Sequence, residues 1–180
     1  MTKKVLIIST SLRANANSEI LARETERGAK DAGHEVEFLS LKDKEIKFCK
    51  GCLACQKLGK CVINDDANEI TLKMKEANVI VWATPIYYYE MSGQMKTLID
   101  RANSLFATGK NFTETYVITT SADSSKGVVE TVLNGVKGWI ACFSDLELKG
   151  CIEAGGIDNP KDVLSRNDLL EQAYNMGRNI

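Results

Sequence analysis

Lys4-Val5-Leu6-Ile7-Ile8-Ser9 runs directly into Thr10-Ser11-Leu12-Arg13-Ala14-Asn15-Ala16-Asn17-Ser18, and the reading of this stretch decides the fold. Its first part is a near-continuous apolar run, which suits a strand buried on both faces. Its second part is polar and leads into a helix-forming segment that extends to about Ala32, with Gly33 placed to end it. A buried strand that passes through a polar loop into a helix is the opening of a β-α-β unit.

The rest of the chain repeats that alternation. His34 to Leu41 alternates apolar and polar residues (Val36, Phe38 and Leu39 are the apolar ones) and predicts a second strand near an edge. Asp66 followed by Glu69 has the form of a capping box, with Ala67, Ile70, Met74 and Ala77 at helical spacing behind it. Val79-Ile80-Val81-Trp82-Ala83 is the most strand-like run. The stripe Met95, Leu98, Ile99, Ala102, Leu105 and Phe106 then marks an amphipathic helix. Tyr116 to Thr120 and Leu146 to Ile152 predict the fourth and fifth strands. Val129 to Ile140 and Leu169 to Tyr174 predict the helices that follow them. Five strands alternating with helices specify an α/β three-layer sandwich around a parallel sheet. At this length the flavodoxin-like order 2-1-3-4-5 is the expected topology, with a ligand at the switch point between the first and third strands.

Composition narrows the function classes. The 180 residues are 44% apolar and 26% charged, as in a soluble globular protein, and no repeat or linker divides them, so one domain over 1–180 is expected. Lys and Arg number 23 against 24 Asp and Glu, with no basic cluster, so neither nucleic acid nor an anionic membrane has electrostatic support as a partner. The apolar run Val5 to Ile8 is too short for a signal-peptide core, and the expected location is the cytoplasm.

The polar loop reads as an anion site. Hydroxyls of Ser9, Thr10, Ser11 and Ser18 can donate to phosphate oxygens, Arg13 can offset their charge, and the helix N-terminus favours an anion. Neither G-x-G-x-x-G nor G-x-x-x-x-G-K occurs, which leaves a flavin monophosphate as the ligand that fits; the alternative is an ordinary polar loop capping a helix. After the third strand comes Thr84-Pro85-Ile86-Tyr87-Tyr88-Tyr89-Glu90-Met91-Ser92-Gly93-Gln94. Three consecutive tyrosines cannot all face a core, so at least one ring is expected at the rim. There it can give an isoalloxazine flat apolar cover, or pack over the sheet edge or a subunit contact.

The pattern Ser11-Leu12-Arg13…Asn17-Ser18, then Pro85-Ile86-Tyr87…Ser92-Gly93-Gln94-Met95-Lys96…Asp100-Arg101, resembles the NADPH-dependent FMN reductase families. The cysteine spacing makes the chain most similar to their iron–sulfur flavoprotein branch. The resemblance covers roughly the first 125 residues. It implies that Ser11, Arg13, Asn17 and Ser18 hold the FMN phosphate. It also implies that Pro85, Ile86, Tyr87 and Tyr88 line the ring, and that Thr120, Ser121 and on to Ser124 close its far side. The chain departs from the family at Thr10, where a glycine is usual, which puts the tightness of that turn in question.

Cys49, Cys52, Cys55 and Cys61 form C-x2-C-x2-C-x5-C in a cysteine-rich loop at 47–64. In a reducing compartment such clustering points to metal or redox chemistry rather than to disulfides. The first three resemble the compact run of bacterial ferredoxins, and all four would serve one [4Fe–4S] cube. Tetrahedral zinc and free thiols are the alternatives; spacing and resemblance together favour the cluster. The loop follows the second strand, so it begins on the rim that carries the flavin loops, on the order of 10 Å away across the sheet.

These elements predict an FMN-dependent oxidoreductase that takes electrons from NAD(P)H or ferredoxin and passes them to a small acceptor such as a quinone. A cluster-free reductase and a flavodoxin-type carrier are the alternatives. A cation in the phosphate loop, Arg13, argues against the carrier. The resemblance implies an oligomer, a homodimer or homotetramer in which cluster and flavin of neighbouring subunits approach each other. No acid–base or nucleophile constellation is apparent. His34, Asp100 and Arg101 read as surface groups or, for the last two, a subunit ion pair, and Cys142 and Cys151 as buried thiols.

Overall fold

A computed structural model describes residues 1–125 and 127–180. Five strands form the parallel sheet: β1 (Lys4–Ser9), β2 (Glu35–Ser40), β3 (Val79–Tyr87), β5 (Glu114–Thr120) and β6 (Glu147–Ala154), in the order β2-β1-β3-β5-β6. This is the expected 2-1-3-4-5 order. A sixth strand not expected from the sequence, β4 (Glu90–Met91), turns back antiparallel on the end of β3. The fourth sequence-predicted strand begins two residues earlier than its apolar run, because Thr115 is fully buried with its hydroxyl donating to the Ile80 carbonyl at 2.9 Å.

The continuous apolar runs of β1 and β3 serve two cores at once, since alternate side chains leave opposite faces of the sheet. Val5, Ile7, Val79, Val81 and Ile118 meet α1 (Asn17–Asp31) and α7 (Asn167–Arg178) on one face. Leu6, Ile8, Ile80, Trp82 and Val117 meet α3 (Ala67–Glu76), α4 (Gly93–Arg101), α5 (Ser104–Thr108) and α6 (Glu130–Ile140) on the other. Burying each such aliphatic side chain contributes about 1.5–3 kcal/mol. Among the described residues β2 pairs only with β1, and its alternating burial is that of an edge strand. A short α2 (Ala54–Leu58) buries none of its residues and sits inside the cysteine segment.

Two glycines bring α1 and α7 into backbone contact. A Cβ at Gly28 would lie 2.0 Å from the Tyr174 carbonyl oxygen, and one at Gly177 2.1 Å from that of Thr25. The predicted capping box at Asp66 is corrected. Asp66 is already helical in backbone, and its carboxylate accepts from Glu45 N–H at 2.7 Å. Asp65 caps α3 instead, accepting from Ala67 N–H at 3.1 Å. Among the described residues no helix is long and apolar enough to cross a membrane.

Candidate functional site

The C-terminal ends of β1, β3, β5 and β6 open on one cleft of about 260 Å³. Its floor is the N-terminus of α1. The residue before the helix, Ala16, offers no side-chain cap, so the first N–H groups of α1 have no side chain to satisfy them. Ser18 is fully buried there, and among the described residues its hydroxyl has no hydrogen-bond partner. A helix N-terminus with free donors and a shielded hydroxyl is suited to an anion. Arg13 stands at the exposed edge, its guanidinium donating to the Asp158 carbonyl at 2.6 Å, and its N–H donates to Ser11 Oγ at 3.3 Å. Asn17 lines the cleft too, but its amide is engaged elsewhere: Nδ2 donates to the Asn159 carbonyl at 2.9 Å and Oδ1 accepts from Val163 N–H at 3.2 Å.

Thr10 does not strain the turn. Its backbone N–H and its hydroxyl both donate to the Ala83 carbonyl, at 2.9 and 3.0 Å, and Oγ1 accepts from Ser92 Oγ at 2.9 Å. Ser92 in turn caps α4 by accepting from Met95 N–H at 3.3 Å, and donates its own N–H to Thr84 Oγ1 at 3.0 Å. Thr10 thus staples the loop after β1 to the loop after β3.

The opposite wall is the β3–β4 hairpin. Tyr87 pairs with Glu90, leaving Tyr88 and Tyr89 as a two-residue turn with φ of 51° and 65°. Such turns normally carry Asn-Gly, because both central residues are left-handed. Two tyrosines held there store strain, and all three rings of the run are exposed, Tyr88 completely. The Tyr89 hydroxyl reaches Asp123 Oδ2 at 3.2 Å across the mouth; hydrogen bonds from Ser125 and Tyr89 hold that carboxyl below the usual range.

Of the twelve residues expected to line a flavin site, ten line this cleft: Ser11, Arg13, Asn17, Ser18, Pro85, Ile86, Tyr87, Tyr88, Thr120 and Ser121. Ser9 is not in the lining; it is fully buried, its hydroxyl without a partner among the described residues. Ser124 is exposed and packs against Gly155, outside the lining. Ala122 falls within the expected span from Thr120 to Ser124, whereas the sequence reading missed Ala16, Ile157 and Asp158. Gly155-Gly156 directly after the last strand is the signal that another loop enters at the same rim.

The cysteine segment forms a second site. Cys49, Cys52, Cys55 and Cys61 all line one cavity of about 40 Å³, together with Leu53, Val62, Ile63, Arg101 and Asn103. Gly51 N–H points at Cys49 Sγ (3.4 Å) and Asn103 Nδ2 at Cys55 Sγ (3.5 Å), donors of the kind that stabilise thiolates. Among the described residues no three His, Cys, Asp or Glu side chains converge closely enough to ligate one metal ion. The four thiols share a cavity rather than a common centre. Arg101 corrects the surface reading: it is buried on Asp65, while Asp100 alone pairs at the surface, with Lys96 at 2.6 Å. Cys142 is exposed and Cys151 half-buried, so neither is the fully buried thiol expected; desolvation pushes the Cys151 thiol up to about 12. His34 is half-buried and accepts from Lys3 N–H at 3.1 Å through Nδ1. Burial, with the positive charges of Lys3 and the N-terminus, lowers its affinity for a second proton.

Comparison with known proteins bears on both sites. Residues 3–137 match the family model described as NADPH-dependent FMN reductase. The chain belongs to the NADPH-dependent FMN reductase family. Within it, the chain is 30% identical over 176 residues to an iron–sulfur flavoprotein of Methanosarcina thermophila, covering 94% of this chain and 91% of that one. It is 45% identical over 102 residues to iron–sulfur flavoprotein MJ1083 of Methanocaldococcus jannaschii, covering 57% of this chain and 53% of that one. For that relative and two of Archaeoglobus fulgidus, the matching stretch spans about half of their own length. A solved NAD(P)H:quinone oxidoreductase from Methanothermobacter marburgensis superposes with a TM-score of 0.77 at 17% identity, over 99% of this chain and 96% of that one, and shares the fold. The family match and the cleft fall on the same loops, through β5.

Proposed function

We propose that the cleft binds FMN, and that the protein transfers electrons from NAD(P)H to a small acceptor such as a quinone. The observation that carries this is the uncapped N-terminus of α1, with the buried, unpartnered hydroxyl of Ser18 in the same cleft as the Pro85–Tyr88 wall. Ser11, Ser18 and the first N–H groups of α1 would take the phosphate dianion, and Arg13 would offset its charge from the rim. Asn17, whose amide is already engaged, would contribute its backbone N–H and hold the 157–163 loop in place. Pro85, Ile86 and Tyr87 would cover a ring on one side, with Thr120 and Ser121 on the other.

The cysteine loop is read as the holder of a [4Fe–4S] cluster on Cys49, Cys52, Cys55 and Cys61. Four thiols on one cavity, N–H donors aimed at sulfur and an apolar rim are the chemistry such a group requires. When bound, FMN handles electrons singly or in pairs and the cluster singly, so the two join a two-electron donor to one-electron partners such as ferredoxin. In turnover, NADPH and a proton with a quinone give NADP⁺ and the hydroquinone. The exposed side chains of Phe48, Leu53, Leu58 and Val62, and those of the three tyrosines, support a homodimeric or homotetrameric assembly.

The test is an absorption spectrum of anaerobically purified protein with iron and sulfide analysis, followed by steady-state NADPH oxidation with a quinone. Flavin bands, about four irons per chain and quinone-dependent turnover are expected. Flavin without iron after reconstitution removes the cluster and leaves a two-electron reductase. A chain that takes up no FMN refutes the reading as a whole. Ser18→Asp places a negative charge at the phosphate position and is expected to weaken FMN binding by roughly tenfold or more.

A further inference from the structure

All four cysteines lie between residues 47 and 63, and one buried ion pair holds both ends of that stretch. Arg101 ends α4 and Asp65 precedes α3; both side chains are 0% exposed. The guanidinium donates to Asp65 Oδ2 at 2.6 Å and to Oδ1 at 2.8 Å. It also donates to the carbonyls of Lys47 at 2.7 Å and Ile63 at 3.1 Å. Asp65 accepts the Lys47 N–H at 2.9 Å, so the backbone of Lys47 is gripped by both members of the pair. Just outside this neck, Glu45 and Asp66 exchange backbone and carboxylate bonds, and Asn68 Nδ2 donates to the carbonyls of Cys61 (3.2 Å) and Ile63 (3.0 Å).

Apolar packing holds the loop only weakly. α2 touches α5 but buries no residue, and Phe48, Leu53, Leu58 and Val62 are exposed. α3 and α4 already pack through Met74, Met95 and Leu98, so the fold does not need a charged pair between them. A buried ion pair carries a desolvation cost that makes it a weak stabiliser, and its best-attested use is to specify register. The same guanidinium stands with Cys61 on the wall of the thiol cavity.

We propose that Arg101 and Asp65 are positioning residues that close the neck of the cysteine loop and thereby preorganise the four thiols as one ligand set. What the loop holds rests on the cluster reading given above; the clasp itself does not. Arg101 is required as a planar fork, because four acceptors from three residues surround it and an ammonium cannot reach them together.

The test uses the full chain loaded with FMN, as wild type, Arg101→Lys, Arg101→Met and the pair Asp65→Asn with Arg101→Met. Hydrogen exchange is followed across 45–68, iron and sulfide are measured after anaerobic reconstitution with ferrous iron and sulfide, and FMN affinity reports the integrity of the fold. Expected is a roughly tenfold or greater loss of protection confined to 45–68 in all three variants. Bound iron falls below about half of wild type, with FMN affinity within about twofold. The double variant leaves no unpaired buried charge, so it keeps the test decisive if Arg101→Met does not fold. Wild-type protection and iron in the double variant overturn the proposal. Full iron in Arg101→Lys overturns the requirement for the fork. If wild type itself takes up no iron, the cluster reading fails, and the exchange data alone decide the clasp.

Discussion

Thr10→Val removes one buried hydroxyl and leaves the side-chain shape nearly unchanged, so it isolates the staple between the two loops of the cleft. Thr10 and Ser92 are both fully buried. Without the hydroxyl, the Ala83 carbonyl keeps the Thr10 N–H at 2.9 Å and stays satisfied. Ser92 Oγ–H, 2.9 Å from Thr10 Oγ1, loses its acceptor where water does not reach. A buried donor stranded in this way costs about 1–3 kcal/mol, and that is the loss expected in the unfolding free energy from urea titration. Ser92→Ala deletes the cap of α4 and is expected to cost about 0.5–2 kcal/mol. In the double variant no hydroxyl is stranded, so its cost falls short of the sum of the two single losses. FMN affinity falls in Thr10→Val as well, because the stapled loops form facing walls of the cleft. Wild-type stability in Thr10→Val, or strict additivity in the cycle, refutes the staple.

Gly28→Ala and Gly177→Ala each place a methyl about 2 Å from a backbone carbonyl across the α1–α7 crossing. Despite the usual gain of about 1 kcal/mol from alanine in a helix, each is expected to lower stability by about 1–3 kcal/mol; a raised urea midpoint would show the crossing to be looser. Alkylation with iodoacetamide at pH 8, read by mass spectrometry on metal-free protein, is expected to label exposed Cys49, Cys52 and Cys142. Cys151, half-buried and pushed up to about 12 by desolvation, is expected to be labelled far more slowly than these three. Burial opposes the charge on Asp65, yet hydrogen bonds from Arg101, Lys47 and Ala67 hold its carboxyl below the ordinary 3.8. The stability it confers is therefore complete above about pH 4 and lost as pH falls through its lowered value. Urea titrations from pH 7 to pH 3 are expected to show an acid decline that is shallower in Asp65→Asn, and equal slopes count against the linkage.

The sheet was legible because β1 and β3 are buried on both faces and leave unbroken apolar runs, while β2 shows the alternation of an edge. β4 left no trace: its turn is Tyr88-Tyr89 where a hairpin signal calls for Asn-Gly, so only the folded structure reveals that both residues have left-handed backbone. That the polar loop after β1 lies at the cleft followed from its place at the end of the first strand. That the Asn17 amide is engaged by Asn159 and Val163 was not legible, because both partners lie more than a hundred residues away. Arg101 misled for the same reason. A charged residue beside Asp100 on an amphipathic helix reads as surface, and its partner is 36 positions distant.

One helix ties the two sites together. α4 is capped by Ser92, whose hydroxyl is bound to Thr10 in the loop after β1, and ends at Arg101, which clasps both ends of the cysteine loop. Its nine residues span about 13 Å as a straight helix, and Met95 and Leu98 anchor it in the core between those ends. The separation of the cleft from the thiol cavity is thus set by a packed helix rather than by the loops themselves. Such loops can vary in sequence while the distance between them stays fixed. The attachments differ in kind, neutral hydrogen bonds at one end and a buried ion pair at the other. Loss of the clasp therefore loosens the thiols without loosening the cleft, whereas loss of the staple at Thr10 shifts the start of the helix that carries the clasp.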